Sequence, residues 1–323
     1  MSNLKKFVIA LLLLVVLIPA GAFGYVYFKL NSIHDNTADS KILNKINHKE
    51  ESGITNILLV GIDARNIHEK SRSDSMMILT VDNKHKSLKL TSLARDTYVD
   101  IPGHGMEKLT HAYAYGGINL LVETVENNFK LDIQNYAIVN FFSFMDIVDT
   151  LGGVTVDVHQ SELNELRKYT QECYELNTNK NKGDLKFIDS SGTQKLNGYQ
   201  ALAYARIRYN DTAMERDRRQ REIMQGLATS FKNLSVTKYP KLIDTILPYV
   251  KTNMKPTEII KLGTNIVSIG NFDIKQLEFP VEKYSKGGIV GSDGWVLQFD
   301  SDKNLPILHD FIFKNVMYND TNY

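Results

Sequence analysis

A single cysteine, Cys173, excludes an intramolecular disulfide and any metal centre built from clustered thiolates. The lack of disulfides is usual in a reducing compartment but does not exclude an extracytoplasmic one. The formal net charge is only +1, so bulk electrostatics offers a nucleic acid little, and an anion site must come from local clustering. None of the 8 histidines stands at a zinc-site spacing. With 7 prolines, 20 glycines and no internal repeat, collagen, solenoid and low-complexity architectures are excluded. What remains is an ordinary globular composition, 43% hydrophobic and 23% charged, over 323 residues. That length allows one or two domains with a substantial core.

The N-terminus carries one long uncharged run. Lys5 and Lys6 precede 22 residues without charge, Phe7 to Phe28. As a helix this is roughly 33 Å, enough for a bilayer core. The flanking lysines predict a cytoplasmic N-terminus and a domain on the far side. Ala20-Gly21-Ala22 offers the alternative of a cleaved signal peptide. The apolar continuation through Phe23, Tyr25, Val26 and Phe28 favours a retained signal-anchor. The organisation expected is a cytoplasmic stub (1–6), a transmembrane anchor (7–28), a polar juxtamembrane spacer (29–53) and an extracytoplasmic catalytic domain (54–323).

Downstream, short apolar runs read as strands over 54–63, 75–82 and 86–94. A helix is expected over 112–129, a strand over 136–142, a helix over 142–153 closed by a Gly pair, and a strand over 154–158. Residues 160–195 read as a polar, loop-like stretch. Asn197 is a candidate cap for the next helix. "RDRRQREIMQGLATSF" is strongly helical, 240–269 reads as two helices, and "IKQLEFP" as a last strand before a glycine-rich turn and a short C-terminal helix. This mixture predicts an α/β, α-β-α sandwich with a central mixed sheet.

The densest charge feature is six arginines in 16 residues: Arg206, Arg208, Arg216, Arg218, Arg219 and Arg221. Guanidinium forks suit phosphate oxygens. On a helix, Arg216, Arg219 and Gln220 share one face. In an extended segment, Arg206 and Arg208 turn the same way, with Ala205 and Ile207 facing the core. Arg218 and Arg221 are expected to be mostly solvated. The alternative is a solvated basic helix throughout. Asp63 and Asp74 flank one loop at strand edges, where two carboxylates can hold Mg²⁺ or simply cap the loop. Arg95 and Asp96 form either part of a phosphate clamp or an ordinary ion pair. Lys108 stands before a tyrosine-rich helix start as a further candidate substrate contact.

Together, "ILLVGID", "RSDSMMILTVD", "TSLARDTYVDIPG", "KLTHAYAYGG", "IVDTLGGVTVDV", "LNGYQALAYARIR" and "RDRRQRE", in this order from about Asn56 to Gln225, make the chain similar to the LytR-CpsA-Psr family of cell-wall glycopolymer ligases. The resemblance implies transfer of a glycosyl-phosphate polymer, such as teichoic acid or capsule, from a polyprenyl-(pyro)phosphate carrier to a peptidoglycan hydroxyl. It implies a Mg²⁺ (or Mn²⁺) dependent phosphotransferase, with the lipid in an apolar tunnel beside the sheet. It assigns the metal to Asp63 and Asp74, and the pyrophosphate to Arg95, Arg206, Arg208 and Arg216, with Gln220 and the commonly basic Arg219 beside them. The implied partners are the lipid-linked polymer, peptidoglycan and a membrane, with no nucleic acid. One departure stands out. Many relatives carry an aspartate three residues before the Arg216 position, where this chain has Ala213; Asp211 lies two residues earlier, and the general base is left open. A polyprenyl-pyrophosphate hydrolase and a non-catalytic lipid-glycan binding protein are the rival readings.

Overall fold

The computed structural model describes residues 24–35, 51–62, 72–177, 182–207, 213–233, 250–270 and 273–319, with isolated positions between 235 and 247. The frame is a six-stranded mixed sheet in the order β10-β3-β2-β1-β6-β9. Its centre is β1 (Ile54–Ile62), antiparallel to β2 (Ser73–Asp82) and parallel to β6 (Asn135–Asn140). β3 (Ser87–Leu93) extends it beyond β2 and pairs in parallel with β10 (Ile274–Phe279). β9 (Val250–Thr252) closes the other edge. Near-continuous apolar runs form the central strands because both sheet faces are covered.

One face packs on α2 (Leu109–Phe129) and α8 (Ser301–Lys314), burying Leu58, Val60, Ile62, Phe129 and Phe311 in the main core. Over the other face lie α3 (Phe141–Thr150), α5 (Gly198–Arg206) and α6 (Ala213–Lys232), with α7 (Pro256–Ile269) beside them. The expected sandwich with a mixed sheet is therefore present. Local signals act as anticipated at two ends. Asn197 accepts from the Gln200 N–H while the Gln200 side chain accepts from Asn197, a capping box opening α5. After α3, Gly152 and Gly153 take φ of 84° and 100°, the left-handed backbone that stops a helix.

Elsewhere the chain departs from the reading. The stretch 160–195 is not simply a loop: it holds α4 (Leu163–Leu176) and β8 (Gly192–Leu196), which pairs with β7 (Val154–Val158). The buried Leu166, Thr170 and Cys173 share one side of α4, an apolar stripe too thin to stand out among its charges. The glycine-rich turn is a ribbon of β11 (Ser285–Val290) and β12 (Gly294–Phe299). A second ribbon, β4 (Tyr98–Ile101) with β5 (Gly105–Lys108), follows Arg95 and Asp96.

The membrane-spanning anchor is corrected. Among the described residues no helix is long and apolar enough to cross a membrane, which overturns the expected 7–28 span, the single-pass topology and the membrane location built on it. Residues 7–23 of that span lie outside the described residues. Residues 24–31 are a helix, α1, docked on the domain. Tyr25 donates to Asp244 at 2.7 Å and Lys29 pairs with the same carboxylate at 2.8 Å. Val26 and Leu30 pack with Leu247, Val250 and Ile259. Of the residues that lengthen the run, Val26 is drawn into this packing, while Tyr25, Tyr27 and Phe28 keep exposed rings. The segment continues to His34, which bridges to Thr252 at the β9 edge.

One buried acid gives a pH signature. Glu126 of α2 is 3% exposed and accepts the Ile133 N–H at 2.9 Å. Burial pushes its carboxyl up to about 7 despite that bond. The folded state therefore holds a proton that the unfolded chain releases near pH 4.3, and stability falls as pH rises from about 4.5 to about 7. Glu126→Gln should flatten that decline by roughly 1–3 kcal/mol, read as a smaller difference between thermal midpoints at pH 5 and pH 8. An unchanged difference would place the carboxyl's titration elsewhere.

Candidate active site

Between the sheet and α3, α5 and α6 lies a cavity of about 310 Å³. Its floor is two cross-strand rows, Ser75–Gly61–Val139 and Met77–Leu59–Ala137, set by the registers of β2, β1 and β6. Strand alternation puts these residues on the face opposite the main core. Gly61 leaves the floor low: a Cβ there would come 3.1 Å from that of Ser75. Phe144 and Ile147 of α3 and Leu202 of α5 supply apolar wall. From α6 come Arg216, Gln220, Ile223, Met224 and Leu227, a stripe at i, i+4, i+7, i+8 and i+11. One helix face thus grades from charge to hydrocarbon along the cavity.

Polar groups gather with Arg216. Simple alternation would turn Asp74 away from Ser75. A register shift between Gly61 and Ile62 places an extra residue in β2, and Asp74 and Ser75 both line the cavity. Arg95, just past β3, donates to Asp74 and lies 3.6 Å from the Asp96 carboxylate. Arg206, the last residue of α5, lines the same cavity. Its guanidinium donates to Cys173 Sγ at 3.5 Å and sits over the Tyr169 ring at 5.7 Å. Arg216 Nε is 3.9 Å from the carboxylate of Asp217, which is 4% exposed. Burial pushes Asp217 up to about 7 although Arg216 opposes the shift. Two cations, Arg206 and Arg216, thus line an apolar channel together with Asp74, and Arg95 is joined to the site through Asp74. That arrangement can bind an anionic head group on a hydrocarbon tail.

The LytR_cpsA_psr family model matches residues 21–305. This chain belongs to the LytR-CpsA-Psr family. It is 34% identical over 292 residues to the polyisoprenyl-teichoic acid–peptidoglycan teichoic acid transferase TagT of Bacillus subtilis (strain 168), covering 85% of this chain and 86% of the relative. To the regulatory protein MsrR of Staphylococcus aureus (strain COL) it is 32% identical over 268 residues, 81% of this chain and 76% of the relative. The fold matches TagT bound to LI-WTA with a TM-score of 0.66 at 28% identity, over 83% of this chain and 93% of that one. It matches TagT with bound octaprenyl pyrophosphate lipid with a TM-score of 0.62 at 27% identity, over 83% and 95%.

Of the residues singled out in this LytR-CpsA-Psr chain, Asp74, Arg206, Arg216 and Gln220 line the cavity, with Arg95 paired to Asp74 and Asp96 to Arg95. Asp63, Arg208 and Asp211 lie outside the described residues. Lys108 does not line the cavity; its Nζ is 3.9 Å from where a Cβ on Gly294 would stand. Arg219 is 1% exposed and bonded to Glu162 and the Ile207 carbonyl, away from the cavity-facing stripe. The expectation that Arg218 and Arg221 are mostly solvated is corrected. Arg218 pairs with Glu162, Glu215 and Glu222, and Arg221 with Glu278, because acidic neighbours from the turn after β7, α6 and β10 meet them. Ligand atoms of His159, Glu162 and Glu215 lie within 4.8 Å of one another and can hold a divalent metal ion. Arg218 already supplies a cation to both glutamates there. Sequence reasoning missed Tyr169 and Cys173, which support Arg206. Their i, i+4 spacing was the available signal, hidden in a stretch read as loop.

Proposed function

We propose that this protein transfers a glycosyl-phosphate polymer from a polyprenyl-(pyro)phosphate carrier to a peptidoglycan hydroxyl, as the name of its relative TagT describes for teichoic acid. The observation that carries this reading is the mixed lining of the cavity: hydrocarbon walls for a polyprenyl tail, with Arg206, Arg216 and Asp74 in the same lining and Arg95 paired to Asp74. The carrier is a membrane lipid, so the donor is taken up at a membrane surface. Residues 54–323 form the catalytic unit.

In the reaction the acceptor hydroxyl oxygen attacks the sugar-bearing phosphorus and gives up its proton to solvent, the bond from that phosphorus to the bridging oxygen breaks, and polyprenyl phosphate leaves. Arg206 and Arg216 hold the non-bridging oxygens and offset the charge that grows on the departing phosphate. Arg95 binds the phosphate and orients Asp74, with Asp96 holding Arg95 in turn. Gln220 donates an amide N–H beside Arg216. Asp74 is a hard oxygen donor next to phosphate-binding cations, a donor set that fits magnesium or manganese. With Asp63 it would hold the ion, which neutralises pyrophosphate charge when bound.

The reading is tested by reconstituting the full chain with a polyprenyl-pyrophosphate-linked glycan and peptidoglycan fragments. Polymer should appear on the fragments, together with released polyprenyl phosphate. Release without attachment would favour the hydrolase, and binding without turnover the scaffold. A second arm fills the channel. Ala137→Trp, in the floor row with Leu59 and Met77, should raise KM for the lipid donor by about tenfold and leave the thermal midpoint near that of the parent. An unaltered KM would remove the tail from this cavity.

A further inference from the structure

The arginine that sequence spacing turns toward the cleft, Arg219, is placed instead as the middle of a buried chain of contacts. Glu162, 5% exposed in the turn after β7, has both oxygens engaged. Oε2 accepts its own turn's His159 N–H at 2.8 Å, and Oε1 accepts from Arg218 at 2.5 Å and Arg219 at 3.0 Å. The other end of the Arg219 fork donates to the Ile207 carbonyl at 3.0 Å. Ile207 is 2% exposed and follows Arg206 directly as the C-cap of α5, where the chain leaves helical geometry at ψ 129°. The Tyr204 ring lies 6.0 Å from the Arg219 guanidinium on the same helix.

We propose that Glu162 and Arg219 are positioning residues that fix the end of α5, and so set where the Arg206 guanidinium meets the donor's phosphates. A planar fork suits this task because it reaches a carboxylate and a carbonyl at once, which an ammonium group cannot do with the same geometry. The helix end has a carbonyl without an intrahelical partner at Ile207, and Arg219 satisfies it. The β7 turn, α6 and the end of α5 are thereby joined through one guanidinium. Arg219 acts on substrate only through Arg206, and this rests on the phosphate-binding reading of the cavity.

The sign of one substitution separates positioning from simple charge. Glu162→Gln removes a negative charge near an anion site and keeps the shape and an acceptor oxygen. Charge alone would tighten phosphate binding, whereas loosening the clamp weakens it. The full chain, Glu162→Gln and Arg219→Lys are compared for affinity toward octaprenyl pyrophosphate and toward octaprenol, with thermal midpoints recorded. We expect Glu162→Gln and Arg219→Lys each to bind the pyrophosphate about tenfold more weakly. Octaprenol affinity should stay at the parent value, because the hydrocarbon channel is untouched. Tighter or unaltered pyrophosphate binding in Glu162→Gln overturns the clamp. Equal loss for both lipids overturns it in favour of a purely structural role. A parent chain that binds both lipids equally overturns the phosphate-binding reading itself, and the clamp with it.

Discussion

Asp74→Asn should lower polymer transfer by about 10² or more and weaken its dependence on magnesium. Asparagine keeps the size and one carbonyl oxygen but loses the charge that faces Arg95 and that would face a bound divalent cation. Two effects then act together. The ion loses an anionic ligand beside the phosphates, and the Arg95 guanidinium loses the carboxylate that orients it. The bulge in β2 lets Asp74 line the cavity, whereas Asp96 meets Arg95 at Nε and does not line it. The check is a magnesium titration of initial rates for parent and variant at saturating donor. A full rate with an unshifted titration would take Asp74 out of the metal site and leave it as the partner of Arg95 alone.

Arg216→Ala and Arg206→Ala should each reduce kcat/KM by about tenfold to 10²-fold, and by more where the contact forms mainly in the transition state. Arg216 should be testable without loss of the fold. Its buried neighbour Asp217 already has its carboxyl pushed up to about 7, so loss of the cation leads that group to take a proton rather than remain as an unpaired charge. Lysine at either position should recover only part of the activity, since it lacks the planar fork. Arg218→Ala and Arg221→Ala make the contrast. Each strips a cation from buried or half-buried glutamates, so the loss should appear as a lowered thermal midpoint. The measurement is kcat/KM on a polyprenyl-pyrophosphate glycan beside thermal unfolding for all four variants. Equal catalytic losses with equal midpoints would indicate diffuse attraction of the phosphates instead of a site.

The legible parts of this protein were those with a short-range cause. Apolar runs marked β1, β2, β3 and β10, the Gly152–Gly153 pair ended α3, and Asn197 capped α5. Motif order identified the family, and arginine density pointed to phosphate. The N-terminal run misled because hydropathy measures an aversion to water and does not name what replaces it. For Val26 and Leu30 the replacement is the domain itself, through the Leu247 cluster, with Tyr25 held by Asp244. The α4 helix was hidden for a related reason: only one narrow side of it is buried, and its charges dominate any local average.

By itself, then, the sequence determined the sandwich, the family and the stretch in which phosphate-binding cations are concentrated. Those follow from periodicity and from residue types recurring in a fixed order. Only the tertiary structure decided which of those cations face the cavity. Arg216 and Arg219 are three residues apart on one helix, yet the first lines the channel and the second is locked between Glu162 and the Ile207 carbonyl. The turn after β7 supplies Glu162, and α4 supplies Cys173 and Tyr169 to Arg206. Local spacing fixes which side of a helix a residue occupies. What that side meets depends on partners brought from distant parts of the chain, and a buried arginine goes to whichever carboxylate or carbonyl the fold delivers.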